Sequence, residues 1–325
     1  MNCELVTIKK KRKRNRKKKK NIDSNINSIY ELITFASNLN YDDNYYFDKN
    51  KLKKILPTLK KINVMIGMSK LKKSLLEQII FCLQNLNHKD DNFNTIISGC
   101  PGTGKTTISL LIAELYYNLG LISSSYIYNI NKNDLVGQFC GSTVQKTQEL
   151  LDKVDNEGAV LFIDEVYSLG YGDKTDLFSK ECIDVICKNL LQKKNMITII
   201  CGYKEDIKSN FLSINQGLDR RFTFKFEIEN YSQSELFFIF KKKIELLNEI
   251  RCDLSNINHT IFNNINFVNN GGDMDILAHM TKIAFAKRVF GKFNKNKTTL
   301  NKVDVVEAIS NFTKKNTNSK FDYFI

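Results

Sequence analysis

Gly99-Cys100-Pro101-Gly102-Thr103-Gly104-Lys105-Thr106 follows the pattern G-x-x-x-x-G-K-[ST]. That spacing suits the cradling of phosphate. The glycines let successive backbone N–H groups turn inward around anionic oxygens, and a following helix N-terminus adds its dipole. The flanks supply the context the chemistry needs. Residues 93–98 (FNTIIS) read as a short buried strand, and residues 107–117 (TISLLIAELYY) as an apolar-rich helix. Only two prolines occur in the chain, Pro57 and Pro101, and one of them lies inside this loop. The expected ligand is a triphosphate cradled by Gly99, Cys100, Pro101, Gly102, Thr103, Gly104, Lys105, Thr106 and Thr107.

Downstream of the loop, strand-like and helix-like segments alternate. Residues 125–130, 159–163, 196–201 and 222–228 read as further strands, and residues 142–154 and 178–193 as helices between them. Five strands alternating with helices predict a parallel sheet covered on both faces. Upstream, Leu71, Leu75, Ile79 and Leu83 recur every four residues, giving one face of an amphipathic helix that leads into the first strand. Residues 26–60 carry short helical patterns with aromatics, expected to end at Pro57. Ser232-x-x-Glu235 has the form of a capping box, and from there the pattern is helical to the C-terminus with no further strand. The organisation expected is a tail over residues 1–25, a helical segment over 26–60, an α/β domain over 61–230 and a helical domain over 231–325.

The segment Val160-Leu161-Phe162-Ile163-Asp164-Glu165 is an apolar strand ending in two acids. It delivers Asp164 to the sheet edge beside the phosphate loop, where Asp164 and Thr106 are the protein oxygens expected to hold Mg²⁺. Glu165, one residue on, is placed to orient and deprotonate an attacking water. Lys105 would neutralise the β- and γ-phosphates.

Composition narrows the class. With 42% apolar and 26% charged residues the chain reads as ordinary soluble-protein material. Its net charge of +14 is concentrated: the run KKKRKRNRKKKK opens at Lys9 and closes at Lys20, and the first twenty residues carry +10 of the total. Such a run is expected to be disordered, and it reads as a nuclear-localisation signal or as a nucleic-acid arm whose binding would be steeply salt-dependent. The eight cysteines form no C-x-x-C pair and several sit in apolar runs, as expected of reduced core residues in an intracellular chain. Neither a membrane span nor a secretory signal is legible, so a cytoplasmic or nuclear location is expected.

Taken together these segments resemble the AAA+ ATPases, and among them the CbbX/CfxQ (SpoVK-like) group, over residues 62–290. Val64-Met65-Ile66-Gly67-Met68 looks like the segment that borders the adenine, which implicates Ile66 and Gly67. Residues 134–143 (DLVGQFCGST) resemble the group's pore loop, residues 162–169 (FIDEVYSL) its acidic strand motif, residues 201–204 (CGYK) its "AGYK", and residues 215–222 (NQGLDRRF) its "NPGLxSRF". The resemblance implies a P-loop NTPase with a parallel five-stranded core and an all-helical lid, assembled as a ring, usually of six copies, with ATP at each subunit junction. It implies Arg221, or Arg220, as an arginine finger acting on the neighbour's nucleotide. It implies Phe139, with Cys140 and Gly141, as an axial grip on a polypeptide. Asn270-Gly271-Gly272-Asp273 stands where the group carries "NAR", so the lid arginine is missing, and residues 271–275 instead resemble the "GAD" version of AAA proteins proper. Tyr203 falls nearest to the position where other AAA+ proteins carry a sensor Asn.

The function this implies is Mg²⁺-dependent ATP hydrolysis coupled to remodelling or threading of a protein partner. Two alternatives stay open at this level. One is a nucleic-acid-directed loader or packaging ATPase tethered through the basic tail. The other is a nucleotide-binding scaffold without turnover.

Overall fold

The computed structural model describes residues 19–21, 25–88, 90–137, 142–170, 177–246, 251–263, 265–291 and 299–318. The chain opens with helices α1 (Ile29–Ser37), α2 (Lys49–Val64) and α3 (Ser69–Leu83). It then alternates β1 (Thr95–Gly99), α4 (Lys105–Asn118), β2 (Ile127–Ile130), α5 (Lys132–Leu135), α6 (Ser142–Glu157), β3 (Val160–Ile163), α7 (Leu177–Gln192), β4 (Ile197–Gly202), α8 (Lys204–Ile207) and β5 (Phe224–Ile228). The five strands form one parallel sheet in the order β2-β3-β4-β1-β5.

Burial follows position in that order. The central strands β1, β3 and β4 are buried at every residue, which is why they read as continuous apolar runs. The edge strands β2 and β5 are only partly buried. Side chains alternate between the two faces. Val160, Phe162, Ile97, Ile199 and Cys201 face a core shared with α1 to α4. Leu161, Ile163, Ile96 and Ile200 face a second core, built with residues of α6 and α7.

Pro57 does not end a helix, contrary to the sequence expectation: α2 runs through it. Proline in a helix interior costs about 3 kcal/mol. Against that, Leu52, Ile55, Leu59 and Ile62 lie on both sides of Pro57 and are each 0% exposed, at roughly 1.5–3 kcal/mol apiece for full burial. Packing therefore decides, and the proline is carried along. Asp48 caps the N-terminus by accepting from the Asn50 and Lys51 N–H groups.

Beyond β5 the chain forms α9 (Gln233–Glu245), β6 (Arg251–Cys252), α10 (Gly271–Val289), β7 (Thr299–Leu300) and α11 (Lys302–Asn318). The capping box at Ser232 is formed with Glu235. An aromatic-rich core of its own, including Phe237, Phe240, Phe262, Phe267 and Phe312, holds this part together. The region is not all-helical as expected: β6 and β7 pair in parallel over two residues each. Two residues carry no alternation to read, and their pairing depends on α10 bringing distant segments side by side. Among the described residues no helix is long and apolar enough to cross a membrane.

Candidate active site

Strand register assembles the first part of the site. β3 and β4 pair with Ile163 opposite Ile200, so the next residues, Asp164 and Cys201, fall side by side at the C-terminal end of the sheet. By alternation both belong to the face covered by α4, whose first turn carries Thr106. The Thr106 hydroxyl donates to Asp164 Oδ2 at 2.7 Å. Asp164 Oδ1 accepts from the Glu165 N–H at 2.9 Å and from the Cys201 thiol at 2.8 Å. Burial pushes the Cys201 thiol well up, and the neighbouring Asp164 carboxylate adds to it, so Cys201 stays a donor. Glu165 is exposed, with a left-handed backbone (φ 49°, ψ 45°). A non-glycine residue keeps that state only where its surroundings hold it, and such residues cluster at functional sites.

Lys105 donates to the Gly99 and Cys100 carbonyls at 3.0 and 2.8 Å. Its ammonium also sits 4.8 Å from the centre of the Tyr203 ring. Burial lowers its pKa, opposed by the negative groups around it, with Asp164 and Glu165 among them. Tyr203 in turn stacks on Tyr167 with centroids 5.4 Å apart and an interplanar angle of 19°.

The loop backbone is shaped for close approach. Gly102 and Gly104 have φ of 66° and 86°, and a Cβ on Gly102 would stand 2.0 Å from the Asn269 carbonyl oxygen. That contact comes from the C-terminal helical region. The Gly271 N–H donates to the Gly102 carbonyl at 3.0 Å, Asn270 Nδ2 to the Pro101 carbonyl at 3.2 Å, and the Tyr231 hydroxyl to the Thr103 carbonyl at 2.9 Å. The segment that lacks the lid arginine is thus hydrogen-bonded directly to the phosphate loop. Thr103 is buried and donates to the Cys100 carbonyl, while Cys100 and Thr107 are exposed. Ile66 and Gly67 are half-buried. A Cβ on Gly67 (φ 69°) would meet Glu235 and Tyr231 at 2.9 Å, which places this segment beside the same junction.

Arg220 and Arg221 lie elsewhere. They close a short 3-10 turn, Asp219–Arg221, just before β5. Because β5 runs parallel to β1, with Phe224 opposite Thr95 and Ile228 opposite Gly99, the arginines stand at the N-terminal end of the sheet and the phosphate loop at the other. A five-residue strand separates them, roughly 17 Å. The structure therefore does not bring Arg221 to its own phosphate loop. Its carbonyl accepts from Asn92 and Asn94 side chains at 2.6 and 3.3 Å, yet its Nε is buried without a hydrogen-bond partner among the described residues. Phe139, Cys140 and Gly141 lie outside the described residues, as does the basic run up to residue 18. Lys20, at its end, pairs with Asp43 at 2.6 Å.

Comparison with known proteins identifies the family and the fold. The family described as "ATPase family associated with various cellular activities (AAA)" matches residues 95–229. The chain is 36% identical over 266 residues to the cfxQ-like protein R730 of Acanthamoeba polyphaga mimivirus, an alignment covering 80% of this chain and 65% of that one. It is 30% identical over 207 residues to the CfxQ homolog of Pyropia yezoensis, covering 61% and 67% of the two chains. The chain belongs to the AAA family, in its CfxQ group. It spans 65% of the length of the mimivirus relative. Among solved structures, the FIGL-1 AAA domain in complex with ADP is similar at a TM-score of 0.56 and 17% identity, over 80% of this chain and 89% of that one. At that identity the likeness is one of fold.

Several contacts in this CfxQ-group chain lie beyond its motifs. The Cys201 bond to Asp164 follows from parallel register, once β3 and β4 are known to be neighbours. The Asn92 and Asn94 clamp on Arg221 depends on β1 and β5 being adjacent, which no local pattern announces. Tyr203 falls near the position expected of a sensor, and the structure puts its ring over Lys105.

Proposed function

We propose that this CfxQ-group chain hydrolyses ATP and couples the hydrolysis to remodelling or threading of a protein partner. The observation that carries the reading is the 2.7 Å bond between Thr106 Oγ1 and Asp164 Oδ2. It joins the phosphate loop to an acidic strand end whose next residue, Glu165, is exposed and free to face water. A hydroxyl and a carboxylate at this separation are hard oxygen donors of the kind that suit Mg²⁺. Thr106 and Asp164 would hold that ion, which supplies charge neutralisation to phosphate oxygens when bound.

In this reading the inward-facing N–H groups of the loop bind the phosphates. Lys105 exchanges the Gly99 and Cys100 carbonyls for the β- and γ-phosphates, and the segment at Ile66 and Gly67 borders the adenine. Glu165 orients a water and takes its proton at a carboxylate oxygen, a contribution of roughly 10²–10⁴ in rate. Arg221 stands too far from its own loop to take part, so it serves the site of a neighbouring copy, with Arg220 beside it. That arrangement calls for a homo-oligomeric ring, and the group's six-membered form is the one proposed. Phe139, with Cys140 and Gly141, would grip the polypeptide in the pore.

The test is Glu165→Gln, read by steady-state ATP turnover and by equilibrium ATP binding. Turnover is expected to fall roughly 10²–10⁴-fold with binding retained. Turnover at the wild-type rate would reject the assignment, and negligible turnover in the wild type would favour a scaffold. The charge of +10 over the first twenty residues supports a second reading, a nucleic-acid-directed ATPase. DNA stimulation of turnover that disappears when residues 1–20 are deleted would favour it over the protein-remodelling reading.

A further inference from the structure

The phosphate loop is held from outside by its carbonyls. Three in succession accept hydrogen bonds from the C-terminal helical region or from the segment that leads to it. Pro101 accepts from Asn270 Nδ2 at 3.2 Å, Gly102 from the Gly271 N–H at 3.0 Å, and Thr103 from the Tyr231 hydroxyl at 2.9 Å. In a trans peptide the carbonyl of one residue and the N–H of the next point in opposite directions. The N–H groups of Gly102, Thr103 and Gly104 therefore turn away from these donors. Successive N–H groups turned to one side make the concavity that binds phosphate.

Asn270 is the centre of this hold. It is 3% exposed, and its side chain also accepts from the Tyr231 N–H at 3.1 Å and donates to Asn230 Oδ1 at 3.3 Å. Its backbone lies at φ 48° and ψ −119°, and the Gly272 N–H closes on the Asn269 carbonyl at 2.9 Å. That is the first central position of a type II′ turn, which glycine enters freely and a residue with a Cβ only under strain. The bonds made by the side chain offset that strain.

Resting on the nucleotide-binding part of the reading above, we propose that Asn270 and Tyr231 are positioning residues that set the phosphate loop in its anion-binding form. Neither touches phosphate in this scheme. They act through the Pro101–Gly102 and Thr103–Gly104 peptides, whose N–H groups they aim. A lid arginine would meet the nucleotide itself, whereas here the helical region meets the reverse side of the loop. The coupling is reciprocal: a bound diphosphate that fixes these peptides also fixes the seat of α10.

The test uses the full chain and two variants, with ADP and inorganic pyrophosphate as probes. Asn270→Gly keeps the turn, relieves its strain and removes the side-chain bonds, while Tyr231→Phe removes only the hydroxyl. Equilibrium binding is read by calorimetry. Both probes are expected to bind more weakly, roughly tenfold in Asn270→Gly and roughly threefold in Tyr231→Phe, the scale of one or two lost hydrogen bonds. Asn189→Ala removes hydrogen bonds between α6 and α7 and is the control for lost stability alone, expected to bind both probes within twofold of wild type. Binding in either variant no weaker than in Asn189→Ala would remove that residue from the role, and a wild type that binds neither probe would overturn the proposal outright. A wild type that binds ADP without turning over ATP would reject the hydrolysis reading and leave the binding results standing.

Discussion

At the C-terminal end of the parallel sheet, Lys105, Thr106 and Asp164 each find partners within the same chain. At the N-terminal end, the Arg221 carbonyl is held by two asparagines while the Arg221 Nε is buried with no partner among the described residues. Among the described residues, one end finds its hydrogen-bond partners and the other leaves a buried donor unpaired. Under the proposed reading, the difference marks where a second copy would act. Leaving a buried donor unpaired costs about 1–3 kcal/mol, and an anion supplied by a neighbour would recover that while completing the neighbour's site.

The sharpest way to break the comparison is to separate the two ends genetically. Arg221→Ala is expected to lower turnover roughly 10³–10⁵-fold, the range for an arginine finger, with nucleotide binding unchanged. Mixing Arg221→Ala with Glu165→Gln, each inactive alone, is expected to restore part of the turnover, because some junctions then pair an intact loop with an intact finger. Mixtures as inactive as either parent would mean that Arg221 does not act across a junction.

A smaller effect is expected at the self-sufficient end. Gly102→Ala places a Cβ 2.0 Å from the Asn269 carbonyl at a φ of 66°. Neither backbone can yield cheaply, so the helical region is expected to lose its seat on the phosphate loop at a cost of about 1–3 kcal/mol. Chemical denaturation should show it as a lower midpoint, and limited proteolysis as faster cleavage near residues 266–270. An unchanged midpoint would mean the contact is not maintained in solution.

The smallest effect is expected from Asn94→Ala at the incomplete end. Asn94 accepts from the Thr198 N–H at 2.7 Å and donates to the Arg221 carbonyl. Asn92 still holds that carbonyl in the variant, so the main loss is one buried N–H left unpaired, about 1–2 kcal/mol of stability. Turnover should fall by less than tenfold. A loss as deep as that of Arg221→Ala would show that the asparagine clamp, rather than the arginine's charge alone, governs the finger.

The parts of this molecule legible in the sequence are those written at short range. The phosphate loop, the acid-terminated strand and the Ser232 capping box each need only residues within a few positions of one another. Helix α2 shows the limit of such reading. Pro57 is a local signal to stop, and it is overridden by four apolar residues whose partners on α1 and α3 are distant in sequence. The pair β6–β7 shows it again, since two-residue strands have no periodicity and exist only where α10 brings them together.

The sequence by itself determined that a phosphate cradle, an acid pair and an arginine pair exist in one chain, because glycine spacing and strand hydrophobicity are properties of contiguous residues. Tertiary structure decided what each of them faces. Parallel register set Cys201 beside Asp164, and sheet order put Arg221 at the far end from its own loop. The packing of the C-terminal helices laid Asn269 to Gly271 against Gly102. These contacts join residues 37 to 169 positions apart, and no local pattern carries the identity of a neighbour that only folding brings near.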